Sequence, residues 1–328
     1  MNYKIKYLTL GIFASYFISC SNDDAKHPNE NREIKLSAQV GEKLTRTSSE
    51  ENIFQGSTVW VWADETDILN NEVLTEGYIN AWNLTSTGAG LLMSLDKVKY
   101  YYPENSLLNF YGFTGNLTQD AITASETKFA DLGSFTHTIN NEQTTDEAIA
   151  ESDLLFGQAL RIQPETPIAS LTFYHLLTRI QVALMNNYNF PLDQVSIELL
   201  NIPKSVTFTP KKLTDISDVE QRKTLFTVGE DKGPIKLKTV VDTPDYNNYP
   251  PEYEYASVII PPTTVDGEFI KVTAGERTAT YSLTGNLESG KSYQIMLNIE
   301  SNGYFTINSI TVNDWGANTN MPMELEYQ

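Results

Sequence analysis

The chain has 328 residues, enough for about two domains of ordinary size. Its formal charge of -19 argues against nucleic acid and anionic headgroups as partners, because both would be repelled. A single cysteine, Cys20, excludes an intramolecular disulfide and leaves stability to packed apolar cores.

Lys4 and Lys6 form a basic start, and Tyr7 to Ile18 is nearly all apolar or small. That run is too short for a membrane span, which takes roughly 20 residues. It ends at Phe17-Ile18-Ser19-Cys20, which resembles a bacterial lipobox with Phe17 in place of the usual leucine. On this pattern residues 1–19 are a removable signal peptide, Cys20 becomes the mature N-terminus, and lipid on Cys20 holds the protein at the outer membrane. Losing residues 1–19 removes two lysines and no acidic residue, so the charge becomes more negative still. Ser21-Asn22-Asp23-Asp24 resembles the acidic signal that sends some lipoproteins to the outer face of that membrane. Residues 20–32 are polar and charged and read as a lipidated, flexible tether.

Strand patterns begin at Ile34, Leu36, Ala38 and Val40, which alternate with polar neighbours as a half-buried strand does. In Thr58-Val59-Trp60-Val61-Trp62-Ala63 both tryptophans point to one face and both valines to the other. Further strands are expected over 77–82, 98–102 (stopped by Pro103) and 107–113. Thr144-Thr145-Asp146-Glu147 reads either as the cap of a short helix or as a loop. Leu154-Leu155-Phe156 resumes strand. Two prolines in 161–167 mark a domain boundary, giving an N-terminal domain over 33–165 and a C-terminal domain over 166–328. From 168 to 185 two strand pieces are expected, with a kink near His175. Strands over 195–201, 205–209, 224–228, 235–241, 253–260, 268–273, 278–283, 293–300 and 304–312 complete the set. Short strands with Gly, Pro and Asn turns, without α/β alternation, point to an all-β chain of two antiparallel β-sandwich domains in series.

No catalytic constellation stands out: there is no Gly-x-Ser-x-Gly elbow, His-Glu-x-x-His or phosphate loop. The chain does not read as an enzyme, and no cofactor or metal site is expected. His27 lies in the tether, His137 in a polar loop, and His175 in an apolar stretch where a structural role fits best. The acidic run 215–220 reads as solvated charge. Tyr100-Tyr101-Tyr102 and the tyrosines of 246–255 read as sheet-face aromatics rather than a sugar platform.

Several blocks, in shared order, resemble the fimbrillin family, the lipoprotein pilins of Bacteroidales. They are the lipobox at Cys20, then Leu44-Thr45-Arg46-Thr47 and Gly56-Ser57-Thr58-Val59-Trp60-Val61-Trp62. Tyr101-Tyr102-Pro103, Leu108-Asn109-Phe110-Tyr111-Gly112-Phe113 and Ser152-Asp153-Leu154-Leu155 follow. Leu171-Thr172-Phe173-Tyr174-His175-Leu176-Leu177, Gly290-Lys291-Ser292-Tyr293 and Ile310-Thr311-Val312-Asn313-Asp314-Trp315 complete the series. The resemblance implies two transthyretin-like β-sandwich domains, after a lipoprotein signal peptide and tether. It also implies assembly with other pilus subunits, as homo- or hetero-polymer, after an arginine-specific protease cuts the N-terminal segment. Arg32 is the runner-up, although a cut after it would leave the first strand attached, and Arg46 is the natural cleavage site here. Cutting there frees residues 33–46, so Ile34, Leu36, Ala38 and Val40 would vacate a groove and leave an unpaired sheet edge. A donor strand can fill such a groove by backbone pairing. The tail 321–328 offers one, since Met321, Met323, Leu325 and Tyr327 alternate with polar residues and Pro322. The same tail also reads as an edge strand of its own domain. The expected function is a structural pilus subunit used for surface adhesion. The alternative is a tip adhesin or monomeric surface lipoprotein that binds glycans.

Overall fold

A computed structural model describes residues 32–41, 52–117, 127–186, 194–237, 256–299, 305–315 and 321–322. Cys20, Arg46, Met323, Leu325, Tyr327, His27 and the tyrosines of 246–255 lie outside them. The described residues are nearly all β, with two short α-helices.

In chain order the first strands are β1 (Leu36–Val40), β2 (Thr58–Thr66), β3 (Val73–Ser86), β4 (Leu91–Ser94) and β5 (Leu107–Thr114). Next come β6 (Phe135–Thr138), β7 (Glu142–Gln143), helix α1 (Asp146–Ser152), β8 (Leu155–Ile162) and β9 (Ala169–His175). The sheet β1-β4-β3-β2-β5-β8-β9 closes on itself as a barrel, because β9 pairs in parallel with β1. The period-2 alternation of β2 decides what goes inside. Val59, Val61 and Ala63 join Leu84, Leu108 and Phe110 in the barrel core, while Trp60 and Trp62 face outward.

The outward face does not meet water. Trp62 stacks on Phe113 at 5.0 Å, and Phe113 meets Phe208 of the second half edge-on at 5.2 Å. Both faces of β5 are therefore covered, and all eight of its residues are buried. Lys212 reaches the buried Asp64 at 2.6 Å across the same face.

The second half contains β10 (Thr178–Asn186), β11 (Val195–Pro203), β12 (Ser205–Phe208), helix α2 (Val219–Lys223), β13 (Phe226–Val228) and β14 (Lys232–Leu237). They are followed by β15 (Ala256–Ile260), β16 (Thr263–Ala274), β17 (Arg277–Leu287), β18 (Lys291–Ile299), β19 (Phe305–Asp314) and β20 (Met321–Pro322). They form the sheets β15-β10-β18-β19-β20, β17-β16-β11-β14-β7 and β13-β12-β6.

Membership of β6 and β7 in those sheets changes the expected organisation. The two halves are not simply in series, because the excursion between β5 and β8 crosses over and pairs with strands of the second half. Gln143 anchors it, donating to the Ile259 carbonyl at 2.7 Å and accepting from the Ile259 amide at 2.8 Å. Helix α1 follows with Thr145 as its cap, the Thr145 hydroxyl accepting from the Ala148 amide.

Pro164 and Pro167 lie in the connection between β8 and β9, which remain neighbours in the barrel. The chain changes sheet at Leu176-Leu177, the kink expected near His175. Prolines stop a strand but do not decide which sheet receives the next one.

Two smaller expectations fail. Residues 98–102 form no strand among the described residues, only the bridge Glu33↔Tyr101, because the partner segment Arg32–Ile34 is too short to carry a ladder. Tyr100 instead packs edge-on against Trp82 at 5.0 Å, and Tyr102 is buried, which pushes its hydroxyl up to about 12. His137 does not sit in a polar loop. It alternates with exposed neighbours on β6, is fully buried, and its Nε2 lies 2.9 Å from the Ser152 carbonyl. The acidic run serves local capping: Asp218 accepts from the Glu220 amide to start α2, a helix not expected from the sequence, and Asp215 accepts from the Ser217 amide.

Candidate functional site

The strand that closes the barrel is β1. On one side it pairs in parallel with β9 over five positions, from Leu36↔Ala169 to Val40↔Phe173. On the other it meets β4 at only two positions, Leu36↔Leu92 and Ser37↔Leu91, plus one bond from the Ala38 amide to the Gly90 carbonyl at 2.8 Å. The Ala169 amide donates to the Lys35 carbonyl at 2.9 Å, and the Gly41 amide to the Phe173 carbonyl at 2.8 Å. Without β1, β4 and β9 would each become an edge.

The side chains follow the alternation. Ile34, Leu36 and Ala38 are buried in the barrel core, and Val40 packs half-buried at its mouth. Phe173, paired with Val40, lies across the inner wall beside β1. Two glycines make room for it. A Cβ on Gly157 would stand 2.7 Å from the Phe173 ring, and one on Gly112 would stand 3.3 Å away. The ring replaces the packing the glycines lack.

At the mouth lies a cavity of about 280 Å³, lined by Val40, Ile53, Asp153, His175, Arg179 and Trp315 among others. Three of the sequence blocks meet there. Asp153 ends α1, His175 ends β9 and Trp315 follows β19. His175 Nδ1 lies 2.7 Å from Asp153 Oδ2, and the His175 ring stacks on Trp315 with centroids 3.5 Å apart and planes 4° off parallel. Arg179 lies over the other ring system of this group, 5.0 Å from the Trp315 centroid. The Trp315 amide donates to the Gly290 carbonyl at 2.9 Å, which brings in the Gly-Lys-Ser-Tyr block. A His–Asp pair can serve a nucleophile. Here the imidazole face is occupied by indole, and the pair joins the barrel, the crossover and the second half at one point.

His175 therefore has the structural surroundings expected of it. Sequence reasoning found each block separately but not their convergence. The available signal was that each block ends in a residue able to pair or stack: a carboxylate, an imidazole and an indole. Among the described residues no group of three or more His, Cys, Asp and Glu side chains is placed to hold a metal ion. Of the tail, Met321 and Pro322 pair antiparallel with Val312 and Thr311, at the edge of the chain's own sheet.

Comparison with known proteins fits this architecture. A candidate cell adhesion protein from Bacteroides ovatus superposes with a TM-score of 0.59 at 15% identity, over 87% of this chain and 98% of that one. A second, from Bacteroides uniformis, gives 0.53 at 14% identity, over 86% of this chain and 99% of that one. At such identities the likeness is one of fold. No curated protein matches the chain. The model of a family described as fimbrillin-like matches residues 45–315, so the chain belongs to the fimbrillin-like family.

Proposed function

We propose that the protein is a structural subunit of a surface pilus, exported as an outer-membrane lipoprotein on Cys20. An arginine-specific protease cuts it after Arg46, and it assembles with other subunits by exchanging β1 for a donor strand. The observation that carries this reading is the lopsided seam: β1 closes the barrel, fills its core with Ile34, Leu36 and Ala38, and is held on the β4 side at only two paired positions. Once the connection through Arg46 is cut, nothing covalent would keep that strand in place, and the groove it leaves is apolar and edged by unpaired backbone on both sides.

The test is cleavage-triggered assembly. The chain from Ser21 is treated with an arginine-specific protease and run on denaturing gels without boiling. A ladder that depends on residues 321–328 supports donor-strand assembly with the tail as donor. A second reading, a tip adhesin or monomeric surface lipoprotein that binds glycans, is favoured by the pairing of Met321 on the chain's own sheet, which engages the start of the tail at home. A cut chain that stays monomeric would decide for that reading, and glycan-array binding would be measured next.

A further inference from the structure

The apolar side chains left in solvent are not spread evenly. Thirteen large hydrophobic residues are exposed among those described, and nine of them lie at one end of the barrel. That end is defined by topology. The β2–β3 hairpin, the β4–β5 connection, the β8–β9 connection and the residues leading into β1 all emerge there, because consecutive barrel strands alternate in direction. Leu69 at the hairpin tip is 90% exposed, Leu95 63% and Leu74 55%, with Ile68, Val98 and Ile168 beside them in sequence or on the neighbouring loops. Among the described residues of the second half only Val228 is comparable. Singly scattered exposed hydrophobics need no explanation, but a concentration at one end does.

The hairpin that presents Leu69 is built to hold its shape. The Asp67 carboxylate accepts from the amides of Leu69 and Asn70 at 2.8 and 3.1 Å, and Arg161 donates to the Ile68 carbonyl at 2.8 Å. The same end is where the chain enters the fold. The Arg32 guanidinium donates to the Pro103 carbonyl, and the Tyr102 amide donates to the Arg32 carbonyl at 2.9 Å. Cys20 lies twelve residues before Arg32, a stretch that reaches at most about 40 Å when extended.

We infer that this end of the barrel docks on a lipid surface, inserting the tips of the β2–β3 and β4–β5 loops into the headgroup region. The inference rests on the reading of Cys20 as a lipid anchor, which would hold this end towards the bilayer. Separate protruding loops suit a fluid surface, which accepts unconnected side chains. A protein partner would need a continuous complementary face of about 800 Å². At this end Arg32, Lys35, Lys97, Lys99 and Arg161 stand beside a slightly larger set of acids, Glu33, Asp67, Glu72, Asp96, Glu104 and Glu165, so the surface it suits is zwitterionic rather than anionic.

To test this, the chain from Cys20 is coupled through that cysteine to maleimide-headgroup lipid in phosphatidylcholine vesicles, with either ordinary or brominated acyl chains. Two variants are compared, Leu69→Trp at the docking end and Leu91→Trp at the start of β4, on the opposite end. The four native tryptophans are buried and give a constant background. The inference expects blue-shifted emission and bromine quenching for Leu69→Trp and neither for Leu91→Trp. Absence of quenching at position 69 overturns it, and equal quenching at both positions overturns it in favour of unspecific adsorption. A blue shift at position 69 that grows with protein concentration in the absence of lipid also overturns it, in favour of a second copy. The anchoring reading fails separately: an unmodified Cys20 in the mass spectrum of protein from the producing cells would remove the anchor while leaving the vesicle result legible.

Discussion

Replacing Leu36 by alanine isolates what β1 contributes. Leu36 is 2% exposed and lies between Ala169 and Leu92; it and Ser37 are the two positions where β1 is paired on both sides, and of the two only Leu36 points into the core. A buried leucine truncated to alanine costs about 2–5 kcal/mol, including the cavity left behind. In a chain cut after Arg46, that loss falls on the hold over the β1 fragment. At tenfold per 1.4 kcal/mol, the fragment should bind roughly 30-fold to several-thousand-fold more weakly. Val40→Ala, at the half-buried mouth, should cost about 1 kcal/mol and Ser37→Ala, on the outer face, near zero. Trp82 reports the event, since it shares the barrel core with Leu36, whereas Trp60, Trp62 and Trp315 belong to the other core. The assay follows Trp82 emission after cleavage, with synthetic β1 peptide titrated back. Equal release by Leu36→Ala and Ser37→Ala would refute the claim that side-chain burial holds the strand.

Three other outcomes follow from the packing. His175→Ala should cost about 2–4 kcal/mol in urea unfolding, because it strands the Asp153 carboxylate and uncovers Trp315; adding Asp153→Asn should recover part of that, and strict additivity would speak against the pairing. Gly157→Ala should cost about 1–3 kcal/mol through the clash with Phe173, measured as a lower melting temperature, with Gly112→Ala milder. Burial pushes the His137 imidazole below its ordinary value, so the unfolded chain binds the proton more readily. The stability this residue contributes is full above about pH 6.5 and is lost as pH falls from there through the lower folded value. His137→Gln should flatten that part of the stability–pH curve, read by chemical denaturation at several pH values.

Local alternation was enough to read most strands and the faces they bury. Val59 and Val61 against Trp60 and Trp62, and Ile34, Leu36 and Ala38 against their polar neighbours, declare their sides because a strand has period 2 wherever it lies. The break near His175 and the Thr145 cap are equally local, and both were legible. What alternation cannot state is the partner. That β1 pairs with β9 to close a barrel, that residues 127–152 cross to the second half, and that Asp153, His175 and Trp315 meet at one point depend on contacts between segments far apart in the chain. His137 shows the difference: its polar neighbours suggested a loop, but burial was decided by β12 beside it and by the Ser152 carbonyl at the end of α1. The sequence alone determined an acidic, all-β chain of fimbrillin type. Tertiary packing decided which strand closes the barrel and which end of it carries the exposed apolar loops, because pairing energy depends on what a face meets and not on the pattern that creates it.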